Sequence, residues 1–139
     1  MRDRFFLDTN VLVYSFDATA PKKRQKALAM IEKALVDRSG IISWQVAQEF
    51  LNVATRKFAP AMTRSEAGIY LDTVLAPLCE VYPGAVLWRE ALAIREQTGY
   101  GFYDSLIIAA AIEGQCAVLY SEDMQDGRRI QNLTMKNPF

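Results

Sequence analysis

Four acidic residues fall where reactive side chains can be held: Asp8, Glu49, Asp104 and Asp123. Asp8 follows Phe5-Phe6-Leu7, an apolar run of the kind that fills a strand buried on both faces. Asp123 stands in Glu122-Asp123-Met124-Gln125-Asp126-Gly127, directly after a second such run, Ala117-Val118-Leu119-Tyr120-Ser121. Asp104 opens a segment, Leu106 to Ile112, that is apolar round its whole circumference. Glu49 lies beside the stripe Val46, Phe50, Val53 and Ala54, at the boundary of a buried helix face. Taken singly, each has an ordinary explanation. Asp8 and Asp104 suit helix N-caps, Asp123 suits a surface turn, and Glu49 suits a solvated side chain or a partner for Arg56.

Together they point elsewhere. Parallel sheets bind ligands outside the carboxyl ends of their strands, and Asp8 and Asp123 are expected at two such ends, with Asp104 and Glu49 able to face the same crevice. Carboxylates brought close repel one another and stay ionised only if a cation sits among them. A hard divalent ion, Mg²⁺ or Mn²⁺, is the simplest compensation, since it takes oxygen ligands and retains several waters. Such an ion can acidify a water and neutralise charge on a phosphodiester. The expected chemistry is metal-dependent phosphodiester hydrolysis, with Asp8, Asp104 and Asp123 as ligands, direct or through water, and Glu49 completing the shell or positioning the attacking water.

The remaining composition narrows the field. The chain has 139 residues and no histidine, which removes His-based acid–base catalysis, Ser-His-Asp and Cys-His systems, and His-ligated zinc. Two cysteines, Cys79 and Cys116, lie in apolar stretches and read as small buried hydrophobes. Sixteen basic residues balance sixteen acidic ones, so only local clustering can mark a polyanion partner. The densest basic cluster is Lys22, Lys23, Arg24 and Lys26, and Arg128 and Arg129 follow the acidic loop. These six are candidates for a rim that tracks phosphates, and equally for a plain solvated surface. The length suits one domain over residues 1–139. No apolar run is long enough to span a membrane, and Met1-Arg2-Asp3-Arg4 leads into the first strand without a signal-peptide pattern, so a cytoplasmic location is expected.

The elements that must position the acids alternate strand and helix, which predicts an α/β domain with a mainly parallel central sheet. A helix is expected to start near Val11, and another from Ala20-Pro21 to about Val36, ended by Gly40. Ile41-Ile42-Ser43 reads as a strand whose Ser43 caps a helix from Trp44 to about Phe58. Thr63-Arg64-Ser65-Glu66 fits a capping box for a helix that Pro77 should stop after Leu75. A short strand at Cys79 to Tyr82, a helix from Ala85 to Thr98 closed by Gly99, and a last strand at Leu133-Thr134-Met135 complete the reading.

With these residues in view, a resemblance can be stated. Phe6-Leu7-Asp8-Thr9-Asn10, Gln48-Glu49-Phe50, Tyr103-Asp104-Ser105-Leu106-Ile107 and Ser121-Glu122-Asp123-Met124-Gln125-Asp126-Gly127, in this order and spacing, resemble the motifs of PIN-domain ribonucleases. The VapC-type toxins of type II toxin–antitoxin modules are the most similar. The resemblance runs from Phe5 to the closing Asn137-Pro138-Phe139. It implies a three-layer α/β/α fold, Mg²⁺- or Mn²⁺-dependent endonucleolytic cleavage of RNA, a homodimer, and inhibition by a cognate antitoxin protein. By position it makes Asp8, Glu49, Asp104 and Asp123 the family's acidic quartet. Thr9 and Asn10 match residues that support the first Asp, and Ser121 stands where a small hydroxyl residue is usual. Glu122 and Asp126 are extra acids around Asp123, of which Asp126 is the expected supporting residue. Two other readings compete. One is a PIN-like module that binds RNA or protein without cleaving it. The other is a phosphatase forming an aspartyl-phosphate on Asp8, disfavoured because Asn10 stands where a second Asp is usual.

Overall fold

The computed structural model describes residues 3–139; Met1 and Arg2, read as leading directly into the first strand, lie outside the described residues. Strand β1 (Arg4–Leu7) is one of the two central strands of a six-stranded sheet ordered β3 (Cys79–Val81), β2 (Gly40–Ser43), β1, β4 (Cys116–Tyr120), β6 (Leu133–Lys136), β5 (Arg129–Ile130). Its Phe6 and Leu7 are fully buried, as a strand covered on both faces requires. Helices α1 (Thr9–Tyr14) and α2 (Pro21–Asp37) lead to β2 (Gly40–Ser43), and α3 (Trp44–Arg56) and α4 (Arg64–Tyr70) lead on towards β3 (Cys79–Val81). Helices α6 (Ala85–Thr98) and α7 (Phe102–Glu113), which pack on each other, then return the chain to the far side of β1, as β4 (Cys116–Tyr120).

This reversal matters for the site. Right-handed crossovers running first one way and then the other from β1 put the two helix sets on opposite faces, giving an α/β/α sandwich. The carboxyl ends of β1 and β4 flank the point where the strand order reverses, the usual position of a ligand crevice in open α/β sheets. All strand pairings are parallel except that of β5 (Arg129–Ile130) with β6 (Leu133–Lys136), a closing hairpin. Helix α7 is the buried one: Ile107, Ile108, Ala109, Ala110 and Ala111 are almost wholly shielded, as its uniform apolarity predicts.

Several expectations are corrected locally. Helix α1 starts at Thr9 and not near Val11, because the Asp8 carboxylate caps it from the strand end. Helix α2 is stopped by Arg38, which adopts the left-handed conformation (φ 55°), and not by Gly40. Gly40 is the first residue of β2, where a Cβ would come within 2.4 Å of Ala34 Cβ and 2.5 Å of the Phe5 ring. It is there for close approach of helix to strand. Pro77 does not end its helix at Leu75: the chain passes from α4 through a π-helical segment, Leu71–Leu75, into a last turn, α5 (Ala76–Leu78), that contains the proline. Pro77 is thus carried within the helix's closing turn, directly after the π-helical segment. The capping box at Thr63 and Glu66 forms with both reciprocal bonds, and Gly99 takes the left-handed position after α6 (φ 82°).

Candidate active site

Asp8 lies at the centre of the crevice. Its backbone N–H donates to the Tyr120 carbonyl across the β1–β4 pair (3.0 Å), so the sheet itself sets its position. One carboxylate oxygen accepts from the Thr9 N–H (2.7 Å) and the other from the Ser121 hydroxyl (2.7 Å). Capping and site-building are therefore the same contact. Asp8 is 6% exposed, and burial pushes its pKa up to about 6 against those two hydrogen bonds, with Glu49 and Asp123 repelling its charge further.

Ser121 connects the two strand ends. Its Oγ accepts from the Asp123 N–H (3.1 Å) and from the Asn10 amide (3.3 Å), and the same amide nitrogen donates to Asp123 Oδ2 (3.2 Å). Asn10 also receives the Glu122 N–H on its Oδ1 (3.3 Å), which pins the acidic loop to the start of α1. Of the three acids in that loop, Asp123 is the one joined to the Asp8 network. Glu122 turns away, accepting from the Tyr14 hydroxyl (2.7 Å) and the Lys23 ammonium (2.6 Å). Asp126, expected as a supporting residue, instead accepts from the Asn137 N–H (2.9 Å) and fastens the last residues of the chain.

Glu49 is exposed on α3, and neither its burial nor an Arg56 pair holds it. It accepts from the Thr9 hydroxyl (3.1 Å) and from the Gln45 amide (2.6 Å). The Gln45 amide also reaches the Tyr103 carbonyl (3.3 Å), linking α3 to the first turn of α7. Asp104 belongs to that turn. It is not the N-cap expected of it, since Gly101 holds that place. The Asp104 carboxylate is half-buried, receives no hydrogen bond from the described residues, and is pushed above the usual carboxylate range by burial and then by Asp123.

The basic candidates separate in the same way. Lys23 stands against Glu122 at the edge of the acidic loop, with its ammonium over the Tyr14 ring (4.7 Å). Lys22, Arg24 and Lys26 are exposed, with the Arg24 Nε directed to the Ser15 carbonyl (3.4 Å). Arg128 and Arg129 serve the protein's own backbone. Arg128 donates to the Thr98 carbonyl (3.2 Å) and lies over Tyr100, and Arg129 donates to the Gln131 carbonyl (3.1 Å). Gln45 and Tyr14 were not singled out in the sequence. Gln45 had a signal, four residues before Glu49 on one helix, where side chains meet.

Among the described residues no three carboxylates or thiols close into a ready cage. The donor set nevertheless fits a hard, hydrated cation, which needs only one or two carboxylates directly and reaches the rest through waters. All the donors are oxygens, Asp8 is charged only at a cost, and Asp104 has no donor. Among the described residues, the Lys23 ammonium at this edge is paired with Glu122.

Comparison with known proteins follows this geometry. No curated protein matches the chain by sequence. By structure the chain is similar to a toxin–antitoxin complex from Klebsiella pneumoniae, with a TM-score of 0.67 and 17% identity over 96% of this chain and 97% of that chain. It is also similar to VapBC2 from Rickettsia felis bound to a DNA fragment from their promoter, with a TM-score of 0.61 and 22% identity over 96% and 97%. A third is Mycobacterium tuberculosis VapC20, described as a Sarcin-Ricin loop cleaving toxin, with a TM-score of 0.59 and 20% identity over 86% and 89%. At these identities the likeness is one of fold. The family model of the PIN domain matches residues 5–129, from β1 to β5 and through all four acidic positions, and the chain belongs to the PIN-domain family.

Proposed function

We propose that this protein is a metal-dependent endoribonuclease, the toxin of a toxin–antitoxin pair, and that Asp8, Glu49, Asp104 and Asp123 are its reactive residues. The observation that carries this reading is the buried Asp8 carboxylate, set by Ser121 and Thr9 at the strand reversal and repelled by Glu49 and Asp123. Mg²⁺ or Mn²⁺ would be held by Asp8, with Asp104 and Asp123 directly or through waters. The chemistry such an ion supplies is neutralisation of the phosphodiester and a lowered pKa for the attacking water.

The chain's own residues do the rest. Ser121 holds Asp8 and the Asp123 backbone from one oxygen, so the two strand ends move as a unit. Asn10 keeps Asp123 turned inward. Glu49, steadied by Thr9 and Gln45 and open to solvent, is the group that orients the water and takes its proton. Lys22, Arg24 and Lys26 form an exposed basic face along α2 that can follow the substrate's phosphates, while Lys23 stays paired with Glu122 at the lip. The toxin reading draws support from the toxin–antitoxin proteins that share the fold, and the RNA reading from the one described as cleaving the Sarcin-Ricin loop. A homodimer and a cognate antitoxin covering the crevice belong to the same proposal.

The test is cleavage of a panel of single-stranded and structured RNAs by protein freed of co-purifying partners, in Mg²⁺ or Mn²⁺ and in EDTA. Cuts that appear only with the metal are expected. Intact RNA throughout, with folded, metal-supplied protein, would overturn the enzyme and leave the non-cleaving module.

A further inference from the structure

Beside the carboxylates, the starts of α3, α6 and α7 enclose a cavity of about 310 Å³. Trp44, Tyr82, Trp88 and Tyr103 wall it, and they are 45%, 55%, 48% and 71% exposed, an unusual concentration of open aromatic surface. Trp44 and Tyr82 meet edge to face, with ring centroids 5.7 Å apart. None of the residues lining this cavity is charged. Open rings without a charged neighbour suit a planar, uncharged occupant.

Gln45 joins the two. Its amide nitrogen donates to Glu49 Oε1 (2.6 Å) and to the carbonyl of Tyr103, the residue before Asp104. Both partners are acceptors, so the amide cannot turn over, and Gln45 ties this cavity's wall to the carboxylate side. We infer that this cavity is a nucleobase subsite: it takes one unpaired base of the substrate strand, stacked on Trp88 and Tyr103, beside the phosphodiester held at the carboxylates. The inference rests on the ribonuclease reading and adds where one base of the strand is held. Aromatic faces stack any base, so the subsite adds affinity at one nucleotide.

The chain's two tryptophans, Trp44 and Trp88, both line this cavity, so intrinsic fluorescence reports on it alone. The experiment titrates the full chain in Mg²⁺ with a 2′-O-methyl pentanucleotide and with an abasic strand carrying the same phosphates. Saturable quenching by the first and not the second is expected. Trp88→Ala should weaken pentanucleotide binding about tenfold, with Trp88→Phe close to wild type, and Tyr103→Ala, at the most open of the four rings, should weaken it about fivefold. Equal binding of the abasic strand, or unchanged affinity in folded Trp88→Ala and Tyr103→Ala, would overturn the inference. So would a wild-type dimer that Trp88→Ala converts to monomer without altering base-dependent binding, since a second copy would then own the face. If RNA is cut but these variants keep wild-type affinity, the subsite alone falls. If wild-type protein neither binds nor cuts RNA, the ribonuclease reading falls with it.

Discussion

Asp8 and Asp104 stand at the starts of two helices on either side of one crevice, and the protein treats them differently. Asp8 is sealed between β1 and β4 and receives two hydrogen bonds, one from a backbone N–H and one from Ser121. Asp104 is half-buried in the first turn of α7 and receives none from the described residues. Position in sequence makes both look like caps. One acid is built into the fold while the other keeps its oxygens clear of donors among the described residues, and Asp123 disfavours the charge on both.

The sharpest way to break this comparison is to remove each charge without removing volume. Asp8→Asn should lower RNA cleavage by about a thousandfold, the scale of losing a preorganised electrostatic group. It should not lower the melting temperature at pH 7, because it deletes a buried charge. A folded Asp8→Asn protein with wild-type cleavage would take Asp8 out of the chemistry. Asp104→Asn should also cut activity severely, with no loss of stability, since no hydrogen bond is given up.

Ser121→Ala probes the support of the first acid. It leaves one buried Asp8 oxygen without its donor and frees the Asp123 backbone, so cleavage should fall about 10- to 100-fold, with stability reduced by about 1–3 kcal/mol at pH 7. Kinetics and urea denaturation check both. If neither changes, Ser121 does not organise the site.

The pH dependence follows from Asp8. Its folded pKa, raised to about 6, lies above the ordinary carboxylate value, so the folded state binds the proton more tightly than the unfolded chain. The stability this gives is fully present below about pH 4 and is lost as pH rises through about 6, a swing on the order of 3 kcal/mol from this one group. Wild type minus Asp8→Asn, measured by denaturation between pH 4.5 and about 7.5, isolates it. Cleavage should run the opposite way and weaken at low pH, where protonation of Asp8 competes with the metal, with a midpoint that falls as Mn²⁺ is raised. A difference that is flat with pH would show that Asp8 is not held in this state. The smallest effect belongs to Asp126→Asn: cleavage within about twofold of wild type and less than about 1 kcal/mol of stability, because this exposed acid fastens only the Asn137 backbone.

Much of this site was legible before the fold. The apolar runs ending at Leu7 and Tyr120 mark two buried strands, and an acid at a strand end in an α/β chain has few places to go. The capping box at Thr63 and the turn at Gly99 are local chemistry and could be read directly. What escaped reading depends on distant partners. Glu122, Asp123 and Asp126 are alike in chemistry; the resemblance singles out Asp123, but the contacts that set the three apart lie with Lys23 and Tyr14, with Asn10 and Ser121, and with Asn137. Gly40 reads as a helix stop until Ala34 and Phe5 are seen pressed against it. The π-helical segment before Pro77 has no counterpart in hydrophobic periodicity. Arg128 and Arg129 look like a phosphate rim until their backbone acceptors are in view.

The most direct test of the central claim, that unlike carboxylates across the strand reversal act as one metal-dependent site, is a single time course. One labelled RNA is incubated with wild type, Asp8→Asn and Asp104→Asn, each with and without Mn²⁺, the fold of each protein being verified by circular dichroism. The account predicts cleavage by wild type in Mn²⁺ alone and none by either variant. Wild-type rates in either folded variant, or undiminished cleavage in EDTA, would contradict it.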